Sequence, residues 1–453
     1  MTSLVLESKV FSNMFGTPAM RAVFSDETLV QRYLDVEAAL ARVQGRLGII
    51  PEEAAREIEA KCDVTRVDFE RLRARSEVVG YPILPLVEQL TGWCTGDAGQ
   101  YCHWGATTQD IMDCADVLQI RDALALLSAD LEAVGAALAS LAEEHKHTPM
   151  AGRSHLQHAL PITFGYKCAV WLSSMDRHLQ RLDDLRPRLL TAQFSGAAGT
   201  LASLGKDGLP VQEALAQELG LAPPAITWHT ARDSLAEASG LLAMITATLG
   251  KIGYDVMLMM QSEIGEVFEP FVPGRGASST MPQKRNPIAS ELLLASSKIV
   301  RQLHGGMLDA LVQDHERATG QWHVEWHVLP EAFVVTAGAL SHAREMLVGL
   351  QVREDAMRRN LDRTGGLIVS EAVMMGLAPH LGRGRAHDVV YECCRESLEK
   401  GASFVEALAA HPEIAAALER KQIEKLADPA SYLGSAPEMV ARYLAARDRR
   451  SAR

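Results

Sequence analysis

Gly276-Ala277-Ser278-Ser279-Thr280-Met281-Pro282-Gln283-Lys284-Arg285-Asn286-Pro287 sets two adjacent hydroxyls a few residues ahead of a cation and an amide. Gly274 and Gly276 loosen the backbone before the hydroxyls, and Pro282 and Pro287 stiffen the chain beyond them. Glycine admits backbone shapes that other residues resist, whereas proline fixes φ and removes a donor. A segment built this way can close over a small anion, with Lys284 as point charge and Asn286 as amide donor. It can equally be an ordinary surface turn. Its surroundings decide between the two.

Those surroundings read as long helices. Apolar residues recur at helical spacing from Glu27 to Leu47, and Pro51-Glu52-Glu53 starts a further helix. Val78 to Gly105, rich in Gly, Pro, Trp and Cys, reads as irregular. Long helices are expected at about 110–147, 161–190, 232–260, 288–314 and 330–350, well beyond the mean helix of about 11–12 residues. Helices of that length lie side by side in bundles. Leu241 to Leu249 is apolar almost all round, and such a helix must be buried on every side. An oligomer in which bundles merge accounts for it. Shorter helices punctuated by glycines come after Val352. The expected fold class is therefore all-α, in three parts: 1–105, 106–350 and 351–453.

Composition narrows the function. The net charge is −12, and no Lys/Arg block stands out before the tail at 447–453, so no nucleic acid is expected as a partner. No basic-then-apolar leader opens the sequence, and no run of 18 uninterrupted apolar residues occurs. Neither a signal peptide nor a membrane span is expected. The seven cysteines lack paired Cys-x-x-Cys spacing and read as reduced thiols of a cytoplasmic protein.

Three more polar clusters interrupt the helices. His103-Trp104-Gly105-Ala106-Thr107-Thr108-Gln109-Asp110 opens the first long helix, where free N–H groups favour either an anion or a simple cap. Gly152-Arg153-Ser154-His155-Leu156-Gln157-His158 offers a histidine suited to proton transfer. His315 to His327 contains Arg317, able to grip a carboxylate or to form a structural ion pair, and His323 one helical turn before His327. That order is not His-Glu-x-x-His, and the histidine pairs lack a third ligand at convincing spacing, so no metal site is expected.

In this order and at these intervals, the four clusters resemble the signature regions of the fumarase/aspartase superfamily, across roughly residues 10–440. The Ser-Ser-x-Met-Pro-x-Lys-x-Asn-Pro loop and Gly-Arg-Ser-His-Leu-Gln carry the likeness. Pro18-Ala19-Met20-Arg21, Gly105 to Asp110 and Trp322-His323-Val324-Glu325-Trp326 make it most similar to the 3-carboxy-cis,cis-muconate cycloisomerase branch, close to adenylosuccinate lyase. The resemblance implies an all-α homotetramer with a central bundle and active sites shared between three subunits. It also implies reversible anti addition–elimination on succinate-like substrates, without cofactor.

It assigns roles residue by residue. Ser278 corresponds to the base, and His155 to the histidine that protonates the leaving group or orients other groups. Lys284 and Asn286, beside Ser279, correspond to the grip on one substrate carboxylate. Thr107, Thr108 and Gln109, beside His103, correspond to the grip on another. Arg21, Arg177, Arg317 and His323 are candidates for the side of the pocket facing the substituent. The nucleotide-binding Arg-Tyr pair of adenylosuccinate lyases is missing near Arg21, and Trp326 stands where their phosphate-binding arginine would lie. One pattern of muconate cycloisomerase carries tryptophan in place of His155. The expected reaction is therefore β-elimination of an amine, substituted amine or nitro group from an α-substituted succinate, giving fumarate. A lactonising cycloisomerase is the alternative. A non-catalytic structural relative, as crystallins are to argininosuccinate lyase, would not need these polar residues.

Overall fold

The structure, a computed structural model, describes residues 4–317 and 319–451. Met1 to Ser3, Ala318 in the fourth polar cluster and the last two residues of the basic tail therefore lie outside the described residues. The chain divides into two compact units, each discontinuous in sequence. One comprises Met1–Glu132, Arg177–Gly250 and Leu292–His342; the other comprises Ala133–Asp176, Lys251–Glu291 and Ala343–Arg453.

Five long helices carry the fold: Thr108–Glu144, Phe164–Leu189, Asp233–Met259, Ile288–Ala310 and Gly320–Val348. In the first unit the Asp26–Arg46 helix is capped by the Ser25 side chain and has Asp26 and Glu27 in its first turn, where carboxylates complement the helix dipole. Its buried Val30, Leu34, Leu40 and Val43 share a core with Ile111, Leu118, Val211 and Leu215. Each side chain of this size contributes roughly 1.5–3 kcal/mol when fully buried. In the second unit Val373, Leu377, Val389, Phe404, Leu408 and Ile414 form a separate small core among the short C-terminal helices.

The structure departs from the sequence reading at three prolines. Residues 78–105 are not irregular throughout, because Ile83–Trp93 is helical. Pro85 is the third residue of that helix, a position whose N–H has no intrahelical partner to lose. No helix begins at Pro161. Residues Pro149–Ser154 (β1) and Gln157–Thr163 (β2) form an antiparallel hairpin, and the helix starts at Phe164. Pro161 pairs with Ala151 where the register shifts, a place in a sheet that tolerates a missing donor. The last long helix begins at Gly320 and carries Pro330 inside it. The lost bond costs about 3 kcal/mol, offset by burial of Trp322, Val328, Leu329 and Phe333 on both sides of it.

Thr108–Glu144 and Asp233–Met259 are long and apolar enough to cross a membrane by composition alone, with mean hydropathy of 1.6 and 1.4 over their most apolar stretches. Of those stretches, 44% and 50% are buried within the chain. Buried core helices of globular proteins have the same character, and the first of these helices opens with the fully buried Asp110 and Asp113.

Polar groups also hold the first unit together. Arg232, 1% exposed, donates from Nη1 and Nη2 to Asp113 at 2.9 Å each, and from Nε and Nη2 to Glu325 at 3.0 and 2.5 Å. Replacing Arg232 with Met would leave two buried carboxylates without their cation. A loss of about 3–5 kcal/mol is expected, measured as the shift in urea unfolding. A loss below about 1 kcal/mol would contradict the assignment of this residue as the charge that holds the three helices' polar contacts.

Candidate active site

The Ser278 loop is fastened at its base and open at its tip. Ala277 and Arg285 form an antiparallel bridge, and the Asn286 N–H donates to the Gly276 carbonyl at 3.0 Å. Gly276 has φ 69°, and a Cβ there would meet the Asn286 carbonyl oxygen at 2.5 Å. Only glycine fits that crossing. The Arg285 guanidinium donates to the Glu269 carbonyl and to Gln351, and it lies over the Phe268 ring. The Glu269 carboxylate, in turn, accepts from the Ala289 and Ser290 N–H groups and from the Ser290 hydroxyl. It thereby caps the helix that leaves the loop.

Within the tip, the Ser278 hydroxyl oxygen accepts from the Thr280 N–H at 3.3 Å and the Met281 N–H at 3.1 Å. Donors aimed at this oxygen favour its ionised form. Ser279 and Lys284 are exposed, and Ser278 and Asn286 are half-buried. Lys284 makes no ion pair among the described residues, which leaves its charge available to a ligand.

His155 occupies the turn of the hairpin. Ser154 pairs with Gln157, so His155 and Leu156 alone connect the strands. Both have positive φ, 51° and 64°, as a type I′ turn requires. Asn-Gly is the usual solution, and a non-glycine residue in this region costs roughly 1–2 kcal/mol. Residues held in such conformations cluster at active sites and ligand clamps, and Leu156 is 79% exposed. Arg153 anchors the hairpin through a fork to Glu266 at 2.6 and 2.9 Å, and Asn360 donates to the same carboxylate. Burial, followed by the nearby Arg153 charge, lowers the pKa of His158.

The first unit holds the other cluster. Arg317 donates to the Gln109 side-chain oxygen at 3.0 Å and to the Thr107 hydroxyl at 2.5 Å. Gln109, 1% exposed, also donates to the His229 carbonyl. It is therefore a strut that presents Arg317, whose remaining N–H groups suit a carboxylate. Asp110 fixes the strut: it accepts from the N–H groups of Thr107, Ser195 and Gly196, and His229 Nε2 lies 2.8 Å away. Thr108 is the first residue of the long helix.

The remaining candidates are more scattered. Arg21 donates to the Ser12 carbonyl and to Asn13. His323 is exposed beside the Trp326 ring, with centroids 4.4 Å apart. Arg177 lies on the exposed side of the Phe164–Leu189 helix. Among the described residues, no hydrogen bond joins Arg21 or His323 to Thr107, Gln109 or Arg317, nor His155 to Ser278. The sequence assigns no role to Asp110, Glu37, Glu266 or Glu269. Asp110 at a helix start is a readable signal; a lone buried glutamate, in a helix like Glu37 or beside a loop like Glu266 and Glu269, gives none.

His103 Nδ1 lies 2.6 Å from the buried Glu37 carboxylate. Burial opposes its protonation, but Glu37 and, beyond it, Asp110 outweigh burial and raise its pKa. The pair therefore stabilises the fold fully below the ordinary histidine value of about 6.5, and this is lost as pH rises through the raised value. The stability advantage of the natural chain over His103→Gln is expected to shrink with rising pH. Thermal unfolding of both proteins across pH checks this, and an advantage that grows with pH would refute it.

Comparison with known proteins adds identity to this geometry. The family model described as Lyase matches residues 14–301, and that described as Adenylosuccinate lyase C-terminus matches residues 366–443. Trans-aconitate decarboxylase 1 of Mycosarcoma maydis is 49% identical, over 96% of this chain and 88% of that protein. The 3-carboxy-cis,cis-muconate cycloisomerase of Pseudomonas aeruginosa is 47% identical, over 97% and 96%. N-acetyl-S-(2-succino)cysteine lyase of Dickeya dadantii is 39% identical, over 97% of each. The crystal structure of a fumarate lyase from Mesorhizobium sp. BNC1 superposes with a TM-score of 0.90 at 54% identity, covering 95% of this chain and 98% of that one. With a family model over residues 14–301 and relatives this similar along nearly the whole sequence, the chain belongs to the fumarase/aspartase superfamily of lyases, on the branch of the 3-carboxy-cis,cis-muconate cycloisomerases and adenylosuccinate lyases.

Proposed function

We propose that the chain eliminates an α-substituent from a C4 dicarboxylate to give fumarate, reversibly and without cofactor. The observation that carries this reading is the Ser278 oxygen held by the Thr280 and Met281 N–H groups. As an alkoxide it takes the proton beside a substrate carboxylate. The bond electrons move into that carboxylate as an aci-carboxylate dianion, then return to expel the substituent. Lys284, Asn286 and Ser279 face the developing charge, which is where preorganised donors accelerate most. Arg317, presented by Thr107 and Gln109, grips the second carboxylate with Thr108 and His103 nearby. His155 delivers a proton to the leaving group, and Arg21, Arg177 and His323 face the substituent.

The site needs more than one chain in this reading. The loop tip and the hairpin turn are exposed in the single chain, as are large parts of the two most apolar helices. A homotetramer whose helices merge would cover those faces and bring three subunits' segments to each site. The free state of all seven cysteines supports a cytoplasmic setting.

Lactonisation of 3-carboxy-cis,cis-muconate is the second reading, favoured by the 47% identity to a cycloisomerase. His155, where one cycloisomerase pattern has tryptophan, supports elimination instead. Ultraviolet absorbance separates the two. Fumarate should be consumed in the presence of an amine or thiol nucleophile, with the muconate unchanged. Turnover of the muconate alone would overturn the elimination reading. Ser278→Ala should slow turnover roughly 10²–10⁴-fold while the molecular mass in solution stays the same; an unaltered rate would remove Ser278 as base.

A further inference from the structure

Gln109 holds Arg317 in only one orientation of its amide. Its oxygen accepts from Arg317 Nε at 3.0 Å, and its NH₂ group donates to the His229 carbonyl at 2.9 Å. Turned over, the amide would set its NH₂ group against a guanidinium that can only donate. The His229 carbonyl opposes that flip, because it accepts and cannot donate. Thr107 is the other support of Arg317, and it hangs from Asp110. Its N–H donates to Asp110 Oδ2 at 3.0 Å, and its hydroxyl oxygen accepts from Arg317 Nη1 at 2.5 Å.

His229 reaches that second support as well. Its Nε2 lies 2.8 Å from Asp110 Oδ1, and both residues are at most 1% exposed. A line of hydrogen bonds fixes which ring nitrogen carries the proton. Gln193 donates from Nε2 to the Thr227 hydroxyl oxygen at 3.2 Å, which leaves the Thr227 proton for His229 Nδ1 at 3.4 Å. The Gln193 oxygen accepts from the Trp228 N–H at 2.9 Å, so this amide is fixed too. With Nδ1 accepting, Nε2 is the protonated nitrogen and donates to Asp110.

One residue thus bears on both supports of Arg317, through its carbonyl on Gln109 and through its ring on Asp110. The segment that carries it is itself anchored, because Arg232, three residues on, is forked to Asp113 and Glu325. Gln109 and Asp110 are consecutive residues in the first turn of the long helix, so His229 sets the two supports in register with each other. Arg317 Nη2 makes no hydrogen bond among the described residues, and the two supports decide where its N–H groups point. At 1% exposed, the His229 side chain offers no surface of its own to a ligand.

We infer that His229 is the positioning residue of the Arg317 carboxylate grip, aiming the guanidinium without touching substrate. The inference rests on the reading of Arg317 as that grip, not on elimination. Succinate, which has no substituent to lose, tests it without turnover, titrated calorimetrically into the full-length protein. His229→Gln keeps an N–H donor at about the reach of Nε2, whereas His229→Asn carries the same amide one carbon shorter. The Asn variant should bind succinate roughly tenfold more weakly, and the Gln variant within about threefold of the natural protein. In an Arg317→Gln background, itself weakened, His229→Asn should add less than about twofold, because residues that act through one another are not additive. Thr227→Val, which releases the ring nitrogen facing it, should weaken succinate roughly threefold, again only while Arg317 is present. Equal affinity of the Asn and Gln variants, or an Asn effect of the same size with and without Arg317, would overturn the inference and leave His229 a structural residue. Unchanged succinate affinity in Arg317→Gln, or no succinate binding by the natural protein, would remove the grip and the inference together. Consumption of fumarate with an amine would still decide the elimination reading separately.

Discussion

Buried carboxylates that collect backbone N–H groups and arginines are the constraint on which the rest of this structure depends. Asp110 holds the first polar segment through Thr107, Ser195 and Gly196. Glu266 holds the hairpin through Arg153. Glu269 caps the helix after the Ser278 loop. Each is at most 4% exposed. A charge so placed is tolerated only when fully satisfied, so each segment is locked to one geometry. Loops that would otherwise wander become rigid supports for the exposed candidate groups.

That arrangement separates the supports from the chemistry. The groups that hold the segments are buried and paired, whereas Ser279, Lys284 and His155 are exposed. Backbone strain falls on one of the exposed candidate groups, in the left-handed His155-Leu156 turn. A polar site that is open in one chain becomes dry only when something covers it. A merged bundle of subunits would do so, and the low-dielectric setting would strengthen every contact to an aci-carboxylate.

Much of this was legible in the sequence. Long apolar periodicities gave the five helices to within a few residues at most ends, because burial sets their length. The Ser278 loop could be read because its glycines and prolines have backbone meanings. Where the reading failed, proline was the reason: Pro85, Pro161 and Pro330 each sit where the missing N–H costs little or is offset by packing. The double duty of Gln109 and the anchoring glutamates was not legible. Their importance lies in partners 21 to 208 residues away, and spacing cannot reveal a long-range partner.

The central claim is that Ser278 moves a proton at the carbon beside a carboxylate while the adjacent substituent leaves or adds. Proton NMR of fumarate with an amine nucleophile in deuterated water tests it directly. The account predicts a substituted succinate carrying one deuterium, in a single diastereomer set by anti addition, and none formed by the Ser278→Ala protein. Deuterium at both positions with equal weight, or the same labelled product from Ser278→Ala, would contradict it.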